Sequence, residues 1–145
     1  MKSIVEKVLS ANDAGATGAH QAGLLIPKDI LTLEFFPPLD PSIKNPRCII
    51  DVRDASGDEW TFNFIYYNNK LFGGTRNEYR LTCMTEFFRC YSLKEGDTVI
   101  FKRKADRFYE VDYRRKDQPV KCLADGSKVL RLSGNWMVIE TDHLA

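Results

Sequence analysis

Long apolar runs are missing from this 145-residue chain. None approaches the roughly 18 residues a membrane span needs, and the N-terminus has no apolar stretch of the signal-peptide kind. The four cysteines, Cys48, Cys83, Cys90 and Cys122, form no C-x-x-C pair, and the two histidines, His20 and His143, lie far from them. That spacing fits neither a zinc site nor a secreted disulfide framework; it fits free, partly buried thiols in a reducing cytosol. Charge of one sign is not in excess: the formal net charge is +1, so any basic surface has to be local. Catalytic signatures are also missing, with no G-x-S-x-G, G-x-x-x-x-G-K or H-E-x-x-H and no nuclease pattern of spaced acids. Asp13 and His20 are the nearest approach to an acid–base pair, in a loop where polar neighbours are ordinary. These absences favour a binding module over a catalyst and call for no metal or cofactor.

What is present suits a globular core. Hydrophobic residues make up 43% of the chain and charged residues 28%, and a chain of this length suits one domain, 1–145, burying roughly 70% of its unfolded surface. Strands are expected at Ile4 to Ser10, Arg47 to Val52, Glu59 to Tyr67, Tyr79 to Thr82, Thr98 to Lys104, Arg107 to Tyr113, Lys128 to Leu132 and Trp136 to Glu140. Leu24-Leu25-Ile26-Pro27 is a short apolar run, and Lys28 to Leu33 suits one or two helical turns. Thr85 to Tyr91 reads as a second short helix with Thr85 as N-cap. Asp54 to Asp58 and Ser133-Gly134-Asn135 are turns. The fold class is mainly β: a seven- to eight-stranded open barrel with two short helices, a shape that hides sheet edges. Trp60, Phe62, Phe64, Phe87 and Phe88 belong to its core.

Several motifs occur in a fixed order. Between Glu59 and Lys102 the chain reads W-T-F-N-F-I-Y-Y-N-N, Y-R-L-T, F-F-R and S-L-K-E-G-D-T-V-I-F-K, preceded by L-L-I-P-K at Leu24 to Lys28. This resembles the plant B-three transcription-factor domain. Leu9 to Gly23 (L-S-A-N-D-A-G-A-T-G-A-H-Q-A-G) and Ile65 to Arg80 (I-Y-Y-N-N-K-L-F-G-G-T-R-N-E-Y-R) are similar to the N-terminal effector-binding domains of EcoRII-type restriction endonucleases. That family implies a DNA-binding pseudobarrel whose two arms, formed by those loops, grip the major groove of double-stranded DNA. It also implies a bacterial, cytoplasmic setting and a catalytic nuclease domain elsewhere in the native polypeptide. The family's target, CC(A/T)GG, follows as an expectation. Gly74 and Tyr79 stand where the family carries lysines, and Leu25 replaces an aromatic. Residues after about 116 are not matched. The N-terminal Met fits the start of a longer protein and fits a fragment equally.

The resemblance assigns Ser10, Asn12, Thr17, His20 and Gln21 to one arm. It assigns Asn68, Asn69, Lys70, Thr75, Arg76, Asn77, Glu78, Tyr79 and Arg80 to the other. In extended chain Arg76, Glu78 and Arg80 share one face, Asn77 and Tyr79 the opposite one. Arginine can bond both N7 and O6 of guanine, and a carboxylate can accept from the cytosine amino group, so Arg–Glu–Arg suits G·C pairs. From the motif alone, a solvated ion-pair ladder is the simpler reading; with both arms matched, base readout is favoured. Gln21 suits adenine, and a His20 N–H suits guanine. Lys28, Lys102, Lys104 and Arg107 are candidate phosphate contacts, although Asp106, Glu110 and Asp112 interrupt the basic run. A stand-alone transcription regulator and a small intact nuclease remain as alternatives.

Overall fold

The computed structural model describes residues 3–13, 23–105, 108–117, 128–132 and 136–140. Its strands are β1 (Ser3–Val8), β2 (Leu24–Ile26), β3 (Arg47–Asp54), β4 (Glu59–Tyr67), β5 (Glu78–Thr82), β6 (Thr98–Ala105), β7 (Phe108–Arg114), β8 (Lys128–Leu132) and β9 (Trp136–Glu140). They form one sheet in the order β2-β5-β4-β3-β7-β6-β1-β9-β8, with β3 and β7 parallel and every other pair antiparallel. The chain is mainly β, as expected. The described strands include the three-residue β2, which the apolar run at Leu24 was too short to announce as a strand. The expected turn at Ser133-Gly134-Asn135 lies outside the described residues.

The sheet curls until its ends approach. Trp136, on β9 near one edge, is buried and donates its Nε1–H to the backbone oxygen of Leu25 on β2, the opposite edge, at 3.1 Å. A side chain closes the gap that a backbone ladder leaves open, so the barrel is a partial one. Inside it lie aromatic rings, among them Phe35, Phe36, Phe62, Phe64, Phe87, Phe101 and Tyr109. Phe62, Phe64, Phe87 and Phe88 are buried and Trp60 packs against the cluster, so these aromatics are core as expected.

Local chemistry explains the element ends. Helix α1 runs Ile30–Phe35, two residues later than expected, because Asp29 caps it: its carboxylate accepts from the Thr32 N–H at 3.0 Å. Helix α2 runs Thr85–Cys90, and the cap position is Met84, with no side-chain hydrogen bond; Thr85 is therefore inside the helix rather than its N-cap. The β3–β4 turn is held by Asp54, whose carboxylate accepts from Ser56 N, Asp58 N, Trp60 Nε1 and the Tyr91 hydroxyl. Burial pushes the Asp54 carboxyl upward, and these donors more than reverse it, leaving its pKa below the ordinary value. Bonded to that carboxylate, Tyr91 is pushed up to about 12. Cys48 is half-buried while Cys83 and Cys90 are exposed, so those two thiols are more accessible than expected, and all three are free; Cys122 lies outside the described residues.

Candidate nucleic-acid interface

The described start of the first arm segment and the second arm segment line one open cleft of about 670 Å³. Lys7, Ser10, Asn12 and Asp13 form one wall. Asn77, Glu78 and Arg80 form the other, and Leu25 to Lys28 with Trp136 make the floor. Residues about 65 positions apart in sequence thus face each other because β2 pairs with β5 while β1 is drawn close by β9.

The wall from the first segment is tied down at its base. Ser10 N donates to Asp13 Oδ2 at 2.9 Å, and Asp13 N donates to Ser10 Oγ at 3.1 Å. This reciprocal turn is anchored by an ion pair from Lys7 Nζ to Asp13 Oδ2 at 3.0 Å, both side chains being nearly enclosed. Asp13 is therefore a shaping residue. Asn12 is exposed beside it. Thr17, His20 and Gln21 lie outside the described residues, as does Arg107.

The second wall follows the strand alternation. Arg76 Nε donates to Glu78 Oε1 at 2.6 Å, and Arg80 Nε lies 3.4 Å from the same oxygen. The three side chains do share one face. The Arg76 guanidinium also lies over the Tyr67 ring, 3.7 Å from its centroid. Arg80 sits between Leu25 on one side and Ile65 on the other in the cross-strand register. These apolar neighbours cover its stem, so its Nε is buried without a well-aligned acceptor. Burial pushes the Glu78 carboxyl up, but the Arg76 hydrogen bond and the charge of Arg80 overcome this and hold it below the usual range.

The opposite face of the same segment belongs to the scaffold. Tyr79 stacks on Tyr66 (centroids 4.2 Å apart, rings 4° from parallel) and on Phe64, which stacks on Phe36. The Tyr66 hydroxyl donates to Asn77 Oδ1 at 2.7 Å. A ladder of rings therefore runs from the core to the rim and fixes Asn77 and Tyr79 from behind. Asn68 is 0% exposed. Its Oδ1 accepts from Asn45 N, and its Nδ2 donates to the Pro41 and Ile43 oxygens. Expected as a contact residue, Asn68 is instead the internal clamp of the loop, because every bond its amide makes points into the protein. Asn69 opens a 3₁₀ turn, Asn69–Phe72, which Gly73 ends at φ 87 by donating its N–H to Asn69 O. Gly74 closes onto the same residue: an added Cβ would lie 2.9 Å from Asn69 Cβ. Lys70 and Thr75 are exposed on this loop.

The candidate phosphate contacts separate. Lys28 lines the cleft and donates to the Asn77 oxygen at 3.2 Å. Lys102 and Lys104 do not line it; Lys104 pairs with Glu110 at 3.5 Å, and Lys102 lies opposite Glu110 in the β6–β7 register. Leu25, singled out in the sequence as standing in place of the family's aromatic, lines the cleft; the contribution of Trp136 was missed, since the strand register that places it there is not readable from composition.

A family model described as "Restriction endonuclease EcoRII, N-terminal" matches residues 2–101. The type II restriction enzyme EcoRII of Escherichia coli is 43% identical over 83 residues, covering 55% of this chain and 20% of that protein. The B3 domain-containing transcription repressor VAL1 of Arabidopsis thaliana is 39% identical over 100 residues, 69% of this chain and 11% of that protein. The chain thus spans a fifth or less of the length of these curated relatives. In fold, it resembles the solved structure of an Arabidopsis FUS3–DNA complex, with a TM-score of 0.58 and 21% identity over 76% of this chain and 94% of that one.

Proposed function

The chain belongs to the EcoRII N-terminal domain family of restriction endonucleases, and from that premise we propose that it binds double-stranded DNA sequence-specifically through the major groove. The observation that carries this reading is one open cleft lined both by the described base of the first arm, Ser10 to Asp13, and by the second arm, with Arg76, Glu78 and Arg80 displayed on a single face. Two guanidiniums around one carboxylate leave a net positive reading edge, attractive to phosphates on approach. Glu78 sets the spacing of the two arginines, each able to bond guanine N7 and O6, and can itself accept from a cytosine amino group. Lys28, Lys70, Ser10 and Asn12 then serve as backbone or edge contacts, and Asn77 and Tyr79 hold the rim rather than read it.

In this reading the chain is a non-catalytic recognition or effector-binding domain of a bacterial, cytoplasmic restriction enzyme. The nuclease centre belongs to a separate domain of the native polypeptide, and this domain needs no cofactor for binding. CC(A/T)GG is the first target to test. A stand-alone transcription regulator is the second reading, favoured by the longer aligned span with VAL1 than with EcoRII. The domain that flanks this one in the native gene separates the two.

The test is a fluorescence-anisotropy titration with a CC(A/T)GG duplex, a scrambled duplex and the matching single strand at two salt concentrations. The expected result is a preference for the CC(A/T)GG duplex of about 10³-fold. Equal affinity for both duplexes removes CC(A/T)GG as the target and calls for selection from a random-sequence pool. Absence of duplex binding at either salt overturns the DNA reading.

A further inference from the structure

An apolar side chain stands in the floor of an otherwise polar cleft. Alternation along β2 buries Leu24 and Ile26 and turns Leu25 outward, where it is 46% exposed. The backbone there cannot drift, because Leu25 is paired with Arg80 on β5 and its oxygen receives the Trp136 indole N–H. Directly opposed residues on one face of an antiparallel pair carry their side chains about 5 Å apart. Leu25 is therefore a fixed apolar neighbour of Arg80 in a cleft that Ser10, Asn12 and Glu78 also line.

Major-groove edges offer one apolar group larger than a C–H, the methyl on C5 of a pyrimidine; the rest of each edge is hydrogen-bond donors, acceptors and single C–H positions. We propose that Leu25 is a specificity-determining residue that reads a C5-methyl pyrimidine in the base pair next to the one engaged by Arg80. The inference rests on the duplex-binding reading above and adds the chemical group recognised. Two bases carry that group, thymine and 5-methylcytosine, and they share the same contact chemistry. A methyl buried against Leu25 gains the transfer free energy of about one methylene, a factor of roughly four in affinity. An unmethylated cytosine presents only a C5–H at that position and lacks the methyl's increment.

Leu25 also covers the stem of Arg80, and a role limited to that cover has to be told apart. The experiment is a cycle between protein and DNA, using the duplex preferred in the titration above. Each thymine is replaced in turn by deoxyuridine, which removes only the methyl, and each cytosine in turn by 5-methylcytosine, which adds only the methyl. Both series are titrated against the native chain and against Leu25→Ala and Leu25→Val. In the native chain, removal at one thymine weakens binding about fourfold, or addition at one cytosine strengthens it by a similar factor. The thymine arm identifies a sequence contact and the cytosine arm a methylation-sensing contact. In Leu25→Ala the same change has no effect, and Leu25→Val retains part of it. A leucine that merely covers Arg80 lowers affinity for every duplex in Leu25→Ala and leaves the methyl increment intact, which overturns the proposal. So does a native chain indifferent to every methyl removed or added while still selecting its duplex. Failure to bind any duplex ends the underlying reading instead.

Discussion

Two regions of this protein are rich in cations, and they differ in how those cations are neutralised. On the β5 rim Arg76 and Arg80 share the single carboxylate of Glu78, leaving one positive charge in excess. Across β6 and β7 the pairing is nearly one to one: Lys104 with Glu110, Arg114 with Glu6 at 2.8 Å, Arg115 with Asp97 at 3.5 Å. Arg103 there donates to the Glu34 oxygen at 2.7 Å. The second region holds the barrel together, tying β7 to β1 and the β6 strand to the end of α1. Counting lysines and arginines in the sequence does not separate these roles; what separates them is whether the charge is matched by the protein itself.

The largest effect is expected where the rim meets the core. Asn68→Ala removes a buried amide that clamps residues 41–45 through three hydrogen bonds to their backbone. It should cost about 3 kcal/mol of stability, read by urea denaturation. A loss under about 1 kcal/mol would show that the loop rearranges freely and that the rim is not built on this clamp. Next comes Arg80→Ala, expected to weaken binding to the preferred duplex by about 1–3 kcal/mol and to relax discrimination at one G·C pair. Equal weakening on all duplexes would make Arg80 a phosphate contact and erase its difference from the β6–β7 cations.

Glu78→Gln sharpens the comparison with a smaller effect, about 1 kcal/mol in the specificity ratio, because the arginines lose their common acceptor. It has a pH signature as well. The Glu78 pKa is lowered from 4.5 in the folded state, so its stabilising contribution is present above that value and disappears as pH falls through the lower one. Urea unfolding across that acid range should therefore be flatter in Glu78→Gln than in the native chain. An identical acid limb would mean that the ion pair contributes nothing to folding. The smallest effect is expected from Lys102→Ala, under about 0.5 kcal/mol for every duplex, since its position lies opposite Glu110 and outside the cleft. A uniform, salt-dependent loss of affinity would extend the interface onto β6.

The alternating pattern of β4 and the turn residues at Asp54 to Asp58 made most of the sheet legible, because one buried face imposes a period of two. The same rule placed Arg76, Glu78 and Arg80 together correctly. What the pattern did not contain was long-range register. Only pairing with β5 makes Leu24–Ile26 a strand, and only the curl of the sheet brings Trp136 to Leu25. Polarity misled at Asn68, where an amide reads the same in sequence whether it faces bases or clamps the backbone of a neighbouring loop. It also concealed Trp136, whose side chain reaches the cleft only through the curl of the sheet.

The central claim is that the arginines of the rim meet guanine in the major groove. The most direct measurement is anisotropy titration of the native chain against its preferred duplex and against the same duplex with 7-deazaguanine at each guanine in turn. That replacement removes the N7 acceptor and leaves Watson–Crick pairing and phosphates in place. The account expects at least one position where affinity falls by about tenfold, with no further fall when the same duplex is tested against Arg76→Ala or Arg80→Ala. Unchanged affinity at every guanine would contradict it.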